Sequence, residues 1–231
     1  MTTDPFYERL LRETEAERLS FQTIPVIQAA LAGKIDRDLY IAYLGEAYHH
    51  VRHTCPLLAT ALGRCGKGDK HYREALLEYL EEERGHEDWI LNDIAALGGD
   101  SDSVAAGNGS PATRIMVGYA YYMIDRVSPY ALLGMVHVLE GMSVALADKA
   151  AAGIAAALAG PDGSPPTAGF SYLLSHGSLD QDHVRFFEDL VNALPGAEAE
   201  AAVVEAAKLI YRLFGDIFRD LTPKEVLNDA A

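Results

Sequence analysis

Apolar residues recur every three to four positions through nearly the whole chain, and no segment alternates convincingly at the period of a strand. Helix signals divide that pattern into rods. Asp4-Pro5 opens a first helix to about Ser20, and a shorter one over Pro25–Ala32 stops at Gly33. Asp36 caps a long helix to about Gly63 with a kink at Pro56, and Asp69 caps another from Lys70 to Leu97, closed by Gly98-Gly99. Residues 99–110 read as a polar, glycine-rich linker. Ser110-Pro111 then starts a helix to about Arg126, and Ser128-Pro129 starts one to about Leu158. After a Gly/Pro/Ser loop at 160–166 come helices over Thr167–Leu194 and Glu198 to Leu221, separated by Pro195-Gly196. The pattern predicts an all-α bundle of seven or eight helices, with residues 1–231 as one domain.

Composition narrows the function more than the fold. With 231 residues and a net charge of −15, the chain is long enough for a sizeable core and unsuited to nonspecific attraction to a nucleic-acid backbone. Cys55 and Cys65 are too few for a disulfide framework and form no Cys-x-x-Cys pattern. The N-terminus lacks the apolar stretch of a signal peptide, and no apolar run reads as long enough to span a membrane. A soluble cytoplasmic protein without nucleic-acid or membrane partners is expected. No G-x-G-x-x-G follows a strand, so no flavin or nicotinamide site is expected and electrons would come from an external donor.

The chemistry lies in polar residues that interrupt apolar helix faces. In H-G-S-L-D-Q-D-H, His176, Asp180 and His183 fall within about 60° of one another at helical pitch, roughly 100° per residue. Two imidazoles and a carboxylate on one face make a metal-ligand set hard enough for iron or manganese. The alternative is a polar surface face. Glu46 shares a face with His50 and His53, and Glu83 with His86 forms a Glu-x-x-His pair, the unit that carboxylate-bridged di-iron bundles take from facing helices. Glu140 stands alone in the apolar run A-L-L-G-M-V-H-V-L-E-G-M, where burial is unfavourable unless the charge is paired or metal-bound. His49, His50 and His53 read as exposed or as core residues bonded to a backbone carbonyl, with at most one or two of them reaching a metal; His137 reads as a supporting or core histidine, and Glu81 and Glu82 as a solvated face. Tyr119–Tyr122 and Tyr130 read as core packing before cavity lining. Glu46, Glu83, His86, Glu140, His176, Asp180 and His183 together supply enough oxygen and nitrogen donors for two metal ions.

The run E-E-R-G-H-E-D-W-I-L-N-D-I-A-A-L-G-G, the L-E-G at 139–141 and H-x-x-x-D-x-x-H at 176–183 resemble the signature of iron-containing redox enzymes with the heme-oxygenase-like fold, a group that includes TenA-like and CADD-like proteins. The resemblance covers roughly residues 36–221. It implies a labile di-iron cofactor, with manganese as the other candidate, and activation of O2 toward a small organic substrate such as an amino acid or fatty acid. It also implies Glu46, Glu83 and His86 for one part of the metal pair and Glu140, His176, Asp180 and His183 for the rest, and it is compatible with a homodimer. Whether Glu82 or Glu83 ligates stays open at this point.

Departures restrict the reaction. Residues 1–48 contain no histidine, against the proximal ligand of heme-degrading relatives. TenA-type hydrolysis of a thiamin-related pyrimidine uses a nucleophilic cysteine, whereas Cys55, next to Pro56, reads as a small core residue. A quinone-synthesis site rich in Arg and His has no counterpart. The expected activity is a non-heme di-iron oxidase or oxygenase. A cofactor-free TenA-like hydrolase and a non-catalytic binding member of the fold are the alternatives.

Overall fold

Proline, glycine and buried hydroxyls cut the expected rods into shorter pieces in the computed structural model, which describes residues 4–160, 162–177 and 181–221, without the side chains of 176, 177 and 181–183. The N-terminal rod divides into α1 (Phe6–Glu13) and α2 (Glu15–Gln22) at Thr14, whose buried hydroxyl turns back to Leu10 O at 2.8 Å. α3 (Pro25–Leu31) follows as expected. The next rod divides into α4 (Arg37–Val51) and α5 (Thr54–Arg64). Pro56 in the first turn of α5 has no N–H for the carbonyl of Arg52, and its ring would clash there, so α4 cannot run through it. The rod expected over Lys70 to Leu97 is α6 (Lys70–Glu82) and α7 (His86–Ala96), parted by Gly85 at φ 91°, a left-handed conformation that ends helices.

The expected linker contains a short α8 (Ser101–Ala106), capped by Asp100, whose Oδ1 accepts from Ser103 N at 2.9 Å. α9 (Pro111–Tyr122) passes through a π-helical turn, Met123–Val127, and a 3-10 turn, Pro129–Ala131, into α10 (Leu132–Ala157). Residues 167–170 are not helical; α11 (Ser171–Gly177) starts later than expected. α12 (Gln181–Asn192) and α13 (Ala197–Leu221) complete the described elements, and no strand occurs among the described residues.

α10 is the helix around which the others pack. Contrary to the reading that no apolar run is long enough for a membrane, Pro129–Ala157 meets that test by length and composition, with a mean hydropathy of 1.5. More than half of the qualifying window is buried inside the fold, the character of a core helix. α10 contributes Leu133 and Val138 to the larger buried cluster and Ala147, Ala151 and Ile154 to the second, where Tyr40, Ile90 and Leu173 meet. Gly134 sets its spacing to α13: a Cβ there would lie 2.5 Å from the carbonyl oxygen of Val203 and 2.7 Å from Ala206 Cβ, so any side chain would push the helices apart.

Candidate metal centre

The break after α6 creates the first part of the site. Glu83 ends α6, Gly85 reverses the backbone and His86 opens α7, so the Glu-x-x-His pair straddles a turn instead of riding one unbroken helix. Across that turn His86 Nδ1 lies 3.1 Å from Glu83 Oε2, and the imidazole stacks on Trp89 with ring centroids 4.1 Å apart. Glu82 is exposed, whereas Glu83 is partly buried and lines an interior cavity of about 80 Å³, roughly two or three water volumes. Of the two acids, Glu83 lines the cavity and Glu82 does not.

Glu140 enters the same cavity from α10, together with His50 and three tyrosines, Tyr43, Tyr79 and Tyr172. Removal from water, followed by the nearby charges of Glu83 and Glu82, pushes the Glu140 carboxyl up to about 8. Acids crowded in this way hold a proton between them or bind a cation. A divalent ion would relieve the repulsion, and carboxylate with imidazole donors suits iron or manganese. Glu83 and Glu140 thus fit the metal expected. Among the described residues no three His, Cys, Asp or Glu side chains converge closely enough to hold a metal ion. His86 is not in the cavity wall, and three of the expected ligands lie outside the described residues: all of Asp180, and the side chains of His176 on α11 and His183 on α12.

What places α11 is a residue with no assigned role in the sequence reading. Asp93 on α7 is buried, and its carboxylate accepts from Ser171 N at 3.0 Å, Ser171 Oγ at 2.7 Å and Tyr172 N at 2.8 Å. It thereby caps, from a neighbouring helix, the first turn of the helix that carries His176. The same contact fixes Tyr172, whose hydroxyl is hydrogen-bonded to that of Tyr43 in the cavity wall. The acid is present in the run N-D-I-A-A-L-G-G, but nothing local announces a cap for a segment some 80 residues away.

Glu46 is placed elsewhere. Its carboxylate accepts from Ser110 N at 3.1 and 3.0 Å and from Thr113 Oγ1 at 2.5 Å, so it holds the N-terminus of α9 and does not line the cavity. Replacing Glu46 with alanine is expected to lower stability by about 1–3 kcal/mol while metal uptake stays at the wild-type level, measured by chemical denaturation and metal analysis of the same preparation. His50, one turn further along α4, does line the cavity, set edge-on to Phe214. His49 is buried at the α8–α9 loop, where Gly109 at φ 72° brings its backbone against the ring; a Cβ on it would lie 2.8 Å from His49 Cβ. His53 Nδ1 meets the Tyr121 hydroxyl at 3.2 Å. Tyr119, Tyr121, Tyr122 and Tyr130 stay out of the cavity wall; Tyr130 donates to Asp69 Oδ1 at 2.5 Å. The tyrosines that do line it carried a signal: Tyr43 lies seven residues before His50 and Tyr79 four before Glu83, spacings that share a helix face.

Two further spaces adjoin the centre. An apolar groove of about 100 Å³ between α3, α4, α10 and α13 shares Tyr43, Ser143 and Phe214 with the cavity. A larger space of about 340 Å³ shares Val136 and Glu140 with it and contains Arg18, Tyr7 and Tyr211. Its floor is His137, whose Nε2 lies 3.2 Å from Thr14 Oγ1 and whose proton affinity falls to about 4, mainly through burial and then through Arg18. Cys55 lines none of these spaces; burial, then Glu87 and Glu83, push its thiol up, away from the thiolate a nucleophile needs.

Residues 41–215 match the sequence model of a family described as iron-containing redox enzymes. The fold superposes on a domain of unknown function with a heme oxygenase-like fold from Shewanella denitrificans, with a TM-score of 0.80 and 22% identity over 96% of this chain and 93% of that one. A TenA homologue from Pseudomonas syringae pv. tomato superposes with a TM-score of 0.74 and 14% identity, covering 93% of this chain and 91% of its own. For a heme oxygenase from Leptospira interrogans the values are 0.69 and 18%, over 94% and 99%. At these identities the likeness shows the fold, all-α and heme-oxygenase-like. No curated protein matches in sequence.

Proposed function

Because the chain belongs to the iron-containing redox enzyme family, we propose that the cavity between Glu83 and Glu140 is the heart of a dinuclear iron centre and that the protein is a non-heme oxidase or oxygenase of a small organic substrate. The observation that carries this reading is the pair of acids in one interior space, where their mutual repulsion and burial raise the proton affinity of Glu140. Glu83, His86 and Glu140 would hold the metal from α6, α7 and α10, and His176, Asp180 and His183 would complete the set. When bound, ferrous iron would supply the electrons for reduction of O2, with an external donor restoring them between turnovers.

The chain's own residues do the rest. Asp93 pins the start of α11 and with it the bearing of the helix that carries His176. The hydrogen-bonded hydroxyls of Tyr172 and Tyr43 sit beside the acids. Burial pushes the Tyr43 phenol up to about 12, so it remains a proton donor at neutral pH. Leu57, Leu58, Met135 and Phe214 give the cavity apolar walls. The apolar groove that ends at Tyr43, Ser143 and Phe214 offers a path into which a non-polar molecule such as O2 would partition.

The test is anaerobic reconstitution with Fe(II), removal of excess metal, and measurement of bound iron and of O2 uptake on exposure to air. Two irons per chain and a burst of O2 uptake are expected, both reduced at least tenfold in Glu83→Ala and His86→Ala. Absence of stoichiometric iron would overturn the reading and leave cofactor-free hydrolysis, testable with Cys55→Ser, or a binding protein. Uptake of manganese in preference to iron would assign the other metal to the same residues.

A further inference from the structure

We propose that Trp89 is a one-electron relay between the metal cavity and the protein surface, through which a reductant in solution discharges an oxidised centre that has met no substrate. This role depends on the cavity being the iron centre. Trp89, the chain's only tryptophan, lies on α7 and is 37% exposed. It joins none of the buried apolar clusters, so core packing does not account for it. Its ring stacks on His86, with centroids 4.1 Å and planes 27° apart, and His86 Nδ1 lies 3.1 Å from Glu83 Oε2. Glu83 lines the cavity, so contacts run unbroken from solvent to the cavity wall.

Indole suits this task where the phenols of the cavity do not. A tyrosine gives up an electron readily only as its hydroxyl proton leaves. Burial pushes the phenol of Tyr43 up to about 12 and those of Tyr79 and Tyr172 up as well, so all three hold their protons. An indole can lose the electron first and its Nε1 proton afterwards, to water that reaches the exposed side chain. Glu87 and Asp88, in the same first turn of α7, supply negative charge that favours the cation. The step balances. Trp89 passes one electron to the oxidised centre and one proton to water, and an enediol or thiol reductant returns one hydrogen atom to Nε1. Without a reductant the indolyl radical combines with O2, and Trp89 is permanently oxygenated.

The test exposes Fe(II)-loaded protein of measured iron content to O2 without substrate, with catalase present to remove peroxide, and maps oxidation by peptide mass spectrometry. Oxygen added at Trp89 is expected, and none in the metal-free or Zn(II)-loaded protein, zinc having no redox chemistry. Ascorbate should spare Trp89 and be consumed in its place. In Trp89→Phe, which keeps a ring on His86, iron uptake should stay at the wild-type level and ascorbate consumption should be lost. The added oxygen should then appear at Tyr43, Tyr79 or Tyr172. Iron-loaded wild type with Trp89 intact would overturn the relay alone. Equal oxygenation of Trp89 with Zn(II), or ascorbate consumption unchanged in Trp89→Phe, would do the same. Absence of bound iron would remove the centre and the relay together.

Discussion

Replacing Glu140 with glutamine is expected to stabilise the metal-free protein by about 1–2 kcal/mol at pH 7 and to abolish its stabilisation by added Fe(II) or Mn(II). Both effects come from one carboxylate. Its folded-state proton affinity, raised to about 8 by burial and by Glu83 and Glu82, lies above the ordinary value of 4.5, so the native state binds more protons than the unfolded chain between those limits. Stability therefore falls as pH rises through that window, and it is fully present only below the lower limit. The full linkage at pH 7 would be about 3 kcal/mol, reduced here because the residue is only partly buried and stays in contact with the cavity. Glutamine keeps the shape and removes the charge. For a chain of this length the gain is roughly 3–6 °C in Tm, and the downward slope of stability from pH 5 to 8 should flatten. Metal saturation, by contrast, should raise the wild-type Tm by roughly 5–10 °C at a hundredfold excess over Kd, more at pH 8 than at pH 6, because the ion displaces a proton. A variant that is more stable without metal and indifferent to it would mark Glu140 as a residue kept for chemistry. A Glu140→Gln variant that is less stable and still gains from metal would show an ordinary packed acid.

Replacing Asp93 with alanine should lower stability by about 3 kcal/mol, or roughly 6–12 °C in Tm, and weaken metal binding at the same time. Three donors lose their acceptor at once: Ser171 N, Ser171 Oγ and Tyr172 N, the last at a buried residue. The Asp93→Asn substitution would rescue only part of this, since the new amide nitrogen would face a backbone N–H on one side. The informative comparison is Asp36→Ala. Asp36 caps α4 through Leu39 N at 2.8 Å on the exposed surface, so its loss should lower stability by only about 1 kcal/mol and leave metal binding intact. Equal effects of the two alanine substitutions on denaturation and metal uptake would mean that Asp93 does not position the α11 donor.

The helical class was legible because helix periodicity and caps are local signals: Asp36 and Ser110 each accept the first-turn hydrogen bond of the helix that follows. The breaks were less legible. Gly85 stood inside a strongly helical run, and only its left-handed backbone shows that Glu83 and His86 face each other across a turn. Thr14 bends the first rod because its hydroxyl meets His137 from a helix more than a hundred residues away, a partner no local window contains. For the site, the isolated acid in an apolar run, Glu140, lines the cavity. Shared helix face misled at Glu46, since the spacing that groups it with His50 says nothing of Ser110 and Thr113 waiting on the other side. Asp93 carries no pattern of its own; its meaning comes from Ser171 and Tyr172, which the fold brings to it.

The central claim, that Glu83, His86 and Glu140 belong to a metal centre, has a built-in reporter. Trp89 is the single tryptophan of the chain and stacks on His86. Anaerobic titration of the metal-free protein with Fe(II), followed by tryptophan emission, should show quenching that ends sharply at two equivalents per chain and disappears in Glu140→Gln. Emission that stays constant, or that drifts without an endpoint and identically in the variant, would contradict the assignment.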